Sequence, residues 1–201
     1  MKVDDTRRTY DRIAARYAAR DVYPMKQELA AFLTHLPEGS LVADIGCGTG
    51  EYAQMMTARG YRVIGLDLST GMLVQAHNKG VRSLLQADMR RLPLASRSVR
   101  GCFLSASLLH LPRTQASRAL SELRRVLQET GIAFLSVKAG DGSAWMPEPE
   151  GVARYFVYYQ PAVFDQLLLT AGFIVVEGWI SPPSREQTHR WIARVVRKVQ
   201  Q

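Results

Sequence analysis

The chain has 201 residues, 47% of them hydrophobic and 22% charged, enough for one globular domain with a full core and little room for a second. It contains no run of about 18 apolar residues, which argues against a membrane-spanning helix, and its start, MKVDDTRRTYDRIAARYAARD, lacks the apolar stretch of a secretory signal. Cys47 and Cys102 sit in apolar segments without metal-ligand spacing, so a reducing, cytoplasmic setting is expected and a disulfide framework is not.

The formal net charge is +8. Such an excess can mark a nucleic-acid partner. Here the arginines are scattered along the chain, as on a solvated surface, so a nucleic-acid partner stays open but is not favoured.

In chain order, residues 5–20 place Tyr10, Ile13, Ala14 and Tyr17 at helical spacing, and 25–36 read as a second helix. Together, residues 1–36 are expected to form a helical cap. From residue 41 the chain alternates. Short apolar strands are expected at 41–45, 61–66, 81–86, 100–105 and 132–137. Helices fall at 51–59, from the Ser69 N-cap to about residue 79, and at 114–128. Alternation of this kind builds parallel β-α-β units and a doubly wound α/β sheet. Residues 139–160 are rich in Gly, Pro and aromatics and read as a long connection acting as a lid. A helix at 161–171 follows, then strands at 173–180 and 189–196. The short joint SPPSREQT between them predicts an antiparallel hairpin.

Ligands of open α/β sheets bind beyond the carboxyl ends of the strands. After the first strand comes ADIGCGTG, with Gly46, Gly48 and Gly50 on alternate positions. Glycines let the backbone approach a ligand closely, and the helix start behind them offers free N–H groups. Asp67 ends the second strand, where a carboxylate can accept two hydrogen bonds from a ribose diol. Asp88 ends the third, placed to accept from an adenine amino group while the Met89 N–H donates to a ring nitrogen. The glycine spacing is one residue tighter than the G-x-G-x-x-G of dinucleotide sites, and Glu51 follows it. A pyrophosphate is disfavoured there. A ligand with an ammonium, served by Asp44, fits better.

These residues resemble the class I S-adenosylmethionine-dependent methyltransferases. VADIGCGTG matches the family's first motif, GLDLS its acidic second-strand motif, and QADMRRLPL the third. RRVLQETGIAFLSV, YDRIAARY and TAGF resemble later and N-terminal segments of its small-molecule branch. The resemblance implies a Rossmann-like seven-stranded sheet of order 3-2-1-4-5-7-6 with strand 7 antiparallel, in one domain over 1–201. It implies S-adenosylmethionine as the cofactor, with Asp44, Gly46, Cys47, Gly48 and Gly50 around its methionine part. Asp67, Leu68 and Met72 would flank ribose and adenine, and Asp88 and Met89 the adenine edge. Ser105 and Ala106 would lie beneath the sulfonium, and Tyr10 and Tyr17 would close the lid. Cys47 is read as a small wall residue, not a nucleophile.

The fourth strand leads into SASLLHLP. It lacks the Asp/Asn-Pro-Pro-aromatic tetrad of base amino-methyltransferases, and no carboxylates cluster nearby, so no metal is expected. A small-molecule acceptor methylated on O, N or C is the expectation. RNA-directed transfer and a non-catalytic cofactor-binding module are the alternatives. His110 is the candidate general base, unless its imidazole only caps the next helix. Trp145, Tyr155, Phe156, Tyr158 and Tyr159 form either an apolar acceptor pocket or packing for the lid.

Overall fold

A computed structural model describes residues 2–20, 25–149, 152–181 and 190–199. Two helices come first, α1 (Lys2–Ala18) and α2 (Lys26–Thr34). The alternating part comprises β1 (Leu41–Ile45), α3 (Glu51–Thr57), β2 (Arg62–Asp67), α4 (Thr70–Asn78), β3 (Leu84–Gln86) and β4 (Val99–Leu104). A 3-10 turn at Leu108–His110, α5 (Arg113–Val126) and β5 (Leu127–Lys138) follow. The chain continues through β6 (Ser143–Glu148), β7 (Val152–Val157), α6 (Pro161–Thr170), β8 (Phe173–Ser181) and β9 (Trp191–Lys198).

The main sheet has seven strands in the order β3-β2-β1-β4-β5-β9-β8. The pairs from β3 to β5 are parallel, whereas β9 runs antiparallel to both β5 and β8. With the β6–β7 pair left out of the count, this is the expected 3-2-1-4-5-7-6 order. The expected joint SPPSREQT, apart from Ser181, and the first residue of the strand expected at 189–196 lie outside the described residues.

The sheet is buried on both faces, so its strands read as apolar runs. On one face Leu108, Leu120, Leu123, Leu135 and Phe164 pack around α5 and α6. On the other, Phe32 of α2 packs on Phe103 and Phe134, whose rings stack 4.5 Å apart. Those aromatics bury α2 against the sheet's centre.

Most boundaries shift by a residue or two from the sequence reading, and three differences are larger or affect the site. The third strand begins at Leu84, because the Val81 N–H donates to the Ala76 carbonyl and finishes α4. α5 stops at Val126, because Leu127 already pairs with Val99 in the sheet. Residues 139–160 are not an irregular connection: they hold a second, two-stranded sheet, with Trp145 opposite Tyr155. β7 packs on α1, where the Thr9 hydroxyl donates to the Ala153 carbonyl at 2.6 Å and the Tyr155 N–H to the Thr6 hydroxyl at 3.0 Å. α1 therefore lies between the inserted hairpin and α4, across the carboxyl ends of the strands.

Candidate active site

The turn after β1 is built from backbone that only glycine adopts easily. Gly46, Gly48 and Gly50 have φ of 75°, 55° and 83°. At Gly46 a Cβ would also lie 2.4 Å from the Ser107 Cβ. The Asp67 carboxylate clamps this turn. One oxygen accepts from the Gly48 N–H at 2.9 Å and the other from the Ser69 N–H at 2.8 Å. Burial raises the Asp67 pKa, although these backbone donors oppose the shift.

The Ser69 hydroxyl caps α4 by accepting from the Met72 N–H and donates to Asp11 of α1 at 2.7 Å. The same Asp11 oxygen accepts from the Gly71 N–H at 3.0 Å. A Cβ at Gly71 would lie 2.9 Å from the Asp11 Cα. Glycine at this position lets α1 sit directly on the start of α4.

Between α1 and the strand ends lies a cleft of about 840 Å³, counting the space at its open mouth. That falls within the usual range for small-molecule sites. Gly46, Gly48, Asp67, Leu68, Met72, Asp88, Met89, Ser105, Ala106, Tyr10 and Tyr17 all line it, as does His110. Asp44, Cys47 and Gly50 stand behind the wall. Cys47 packs between β1 and β2, 3.1 Å from where a Gly65 Cβ would be, and burial pushes its thiol pKa up, which suits a wall residue. Gly50 faces Ala76 and Val81 at the α3 N-terminus. Asp44 is 1% exposed, and its Oδ2 has no hydrogen-bond partner. Burial, together with the charges of Asp67 and Glu51, raises its pKa to about 8.

Two acidic residues have partners that the sequence reading did not assign. Asp88 accepts from the Arg90 N–H at 2.9 Å and from its guanidinium through both oxygens. Burial works against the carboxylate's charge, but Arg90 outweighs it and lowers the pKa. Glu51 accepts from Lys79 and from the Thr49 hydroxyl, both at 2.5 Å. Its charge is thus largely matched, and it does not line the cleft. The repulsion expected of Glu51 is weaker than its position in the sequence suggests.

His110 is committed through both nitrogens. Its Nδ1 lies 2.7 Å from the Tyr155 carbonyl, which can only accept, so Nδ1 carries the proton. Nε2 then accepts from the Tyr10 hydroxyl at 2.8 Å. Arg154 donates to the same hydroxyl at 3.1 Å and is held by Glu148, which also pairs with Arg16. Burial, with the nearby Arg154 and Lys138 charges, pushes the His110 pKa down to about 3. A base this weak, with its lone pair in use, is poorly suited to take a proton from an acceptor. The geometry gives His110 a different task, that of holding Tyr10 and α1 over the strand ends.

The aromatic cluster separates in space. Tyr155, Phe156, Tyr158 and Tyr159 are buried, whereas Trp145 is 42% exposed, and none of the five lines the cleft. They join the inserted hairpin to the core. The sequence reading missed Thr6, Asp11, Arg90, Lys138, Glu148 and Arg154, because their importance depends on contacts between distant segments. No group of three or more His, Cys, Asp or Glu among the described residues is arranged to hold a metal.

The open sheet with its antiparallel β9, and the glycine turn facing acidic strand ends, define a Rossmann-like methyltransferase class. A Methyltransferase domain family matches residues 43–135. The chain is 32% identical over 163 residues to a malonyl-[acyl-carrier protein] O-methyltransferase of Erwinia billingiae, covering 73% of this chain and 64% of that protein. It is 31% identical over 178 residues to a tRNA (carboxymethyluridine(34)-5-O)-methyltransferase of Arabidopsis thaliana, covering 88% and 39%. The chain thus spans less than two thirds of either relative. In structure it superposes on a 1,6-didemethyltoxoflavin-N1-methyltransferase of Burkholderia thailandensis with a TM-score of 0.80 at 19% identity, covering 98% and 88% of the two chains. In sequence over 43–135 and in fold over nearly its whole length, the chain is similar to S-adenosylmethionine-dependent methyltransferases.

Proposed function

We propose that this chain transfers the methyl group of S-adenosylmethionine to an O, N or C nucleophile of a small-molecule acceptor, and that 1–201 act as one domain capped by residues 1–36. The observation that carries the reading is the convergence, on one cleft, of the glycine turn, Asp67, Asp88, Met89, Ser105 and Ala106 beneath Tyr10 and Tyr17. The cofactor supplies an activated methyl on a sulfonium. Gly46 and Gly48 give its methionine part room, and the unpartnered Asp44 oxygen favours a cation nearby. Free lone pairs remain on the Asp67 carboxylate for a ribose diol. The Asp88 carboxylate, already held by Arg90, orients the loop that carries the Met89 N–H. The chain's part in catalysis is chiefly to position the acceptor and exclude water. α1 supplies the cover.

Calorimetry with S-adenosylhomocysteine and with NADH tests this. Micromolar binding of the first and none of the second is expected. NADH binding alone would overturn the reading. Turnover to S-adenosylhomocysteine with any acceptor would exclude a purely cofactor-binding module.

An RNA acceptor is the second reading, supported by the net charge of +8 and by the names of two relatives. Against it, Arg7, Arg90, Arg125 and Arg154 are paired with Asp11, Asp88, Glu122 and Glu148. Steeply salt-dependent tRNA binding would favour it.

A further inference from the structure

Lys138, the last residue of β5, has no carboxylate within ion-pairing distance among the described residues. It is partly buried, with its Nζ 4.1 Å from the centre of the Phe156 ring and 5.9 Å from that of Trp191. The same Phe156 ring lies 5.2 Å from the Arg154 guanidinium and 4.7 Å from His110. Arg154 keeps a buried Nε without an acceptor. Two cations thus share one aromatic ring, which packs on His110 of the cleft lining, and Arg154 keeps one N–H unused. Glu148, paired with Arg154, is one carboxylate against these two cations, and a second anion would balance Lys138. Burial, and then the Arg154 charge, lower the Lys138 pKa, as expected of a cation short of a partner.

The placement relative to the strand ends is specific. Ser136 of β5 faces Ser105 of β4, with the hydroxyl oxygens 3.5 Å apart, and donors and acceptors here border Ala106. Lys138 follows Ser136 by two positions, so both side chains leave the same face of the sheet, about 7 Å apart along the strand. Lys138 thus starts from the strand that borders Ser105 and Ala106.

We propose that the acceptor is a carboxylate, drawn in by Lys138 and Arg154 and methylated on oxygen to give a methyl ester. This rests on the methyl-transfer reading above. His110 is not poised to remove a proton, and a carboxylate needs none removed, because it is ionised well below neutral pH. A carboxylate oxygen forms the new C–O bond with the methyl carbon as the S–C bond breaks. The electron pair of that bond stays on sulfur, the sulfonium becomes a neutral thioether, and no proton moves. Both relatives described above are named for O-methylation of a molecule bearing a malonyl or carboxymethyl group. A phenol or an amine would arrive protonated, and His110, held through both nitrogens, is not free to take the proton.

The test has three arms on the intact chain. Binding of S-adenosylhomocysteine is measured first, and its failure would remove the methyl-transfer reading itself. With that ligand bound, butyrate and benzoate are added to protein labelled with ¹³C at lysine Cε, against butyramide and benzamide. The Lys138 signal, identified by its absence in Lys138→Met, is expected to shift with the acids and not with the amides. Indifference of that signal to both acids overturns the proposal. Methyl-tritiated S-adenosylmethionine is then offered with a panel of carboxylic acids, phenols and amines. Label released as methanol by mild alkali reports an ester, and Lys138→Met is expected to raise KM for the accepted acid at least tenfold while leaving S-adenosylhomocysteine affinity within twofold. Transfer only to phenols or amines, or to nothing in the panel, overturns it.

Discussion

The Tyr10 hydroxyl lies 2.8 Å from His110 Nε2 and joins the first helix to the turn after β4, across 100 residues of sequence. Both residues are half-buried, so the bond matters. Tyr10→Phe leaves the imidazole lone pair and one Arg154 donor without their partner. A loss of about 1–3 kcal/mol in stability is expected, together with weaker S-adenosylhomocysteine binding. Urea denaturation and calorimetry check this, and unchanged values in both would mean that α1 is held by its other contacts alone.

The His110 shift has a sign. Its folded pKa, near 3, lies below the unfolded value of about 6.5. Between those values the unfolded chain binds more protons, so the stability associated with His110 is present above pH 6.5 and is lost as pH falls toward 3. His110→Gln is expected to flatten the acid side of the stability curve. Activity of the parent protein is expected to show no inflection near pH 6.5 that disappears in this variant.

Asp44 has the opposite sign. Its folded pKa, about 8, is raised above the carboxylate norm of about 3.9. The stability it contributes is present at low pH and lost as pH rises through 8. Asp44→Asn is expected to stabilise the ligand-free protein at pH 8 by on the order of a few kcal/mol and to weaken cofactor binding at least tenfold. In the parent protein, an arriving ammonium should drive proton release near pH 7. Calorimetry in buffers of different ionisation enthalpy reads this directly.

Gly71→Ala tests the seat of α1. The new Cβ would lie 2.9 Å from the Asp11 Cα, which is backbone and cannot swing aside. A destabilisation of about 1–3 kcal/mol is expected. Faster amide exchange in α1 and a several-fold rise in KM for S-adenosylmethionine should accompany it, with the sheet amides still protected. Gly80, which has open space around it but a φ of 95°, is the control: Gly80→Ala should lower stability without changing that KM.

Much of the fold was legible because local chemistry and tertiary structure agree. Leu41–Ile45 is apolar and β-prone, is buried, and ends in glycines with positive φ. Asp67 and Asp88 fall at strand ends because apolar strands must stop where they meet water or a ligand. The β6–β7 pair was not legible. Pro147, Pro149 and Gly151 interrupt its alternation, and its pairing shows only when the chain folds back on itself.

The sequence by itself determined the alternating α/β class and the glycine turn with its acidic residues, because these depend on short-range spacing; the strand order came from the family resemblance those motifs carry. Only the tertiary structure decided which charges are matched. Arg90 holds Asp88 and Lys79 holds Glu51, whereas Lys138 has no anion among the described residues. It also decided that His110 is a neutral acceptor for Tyr10. Burial and the approach of distant segments set protonation and pairing, and neither is encoded in the spacing of residues along the chain.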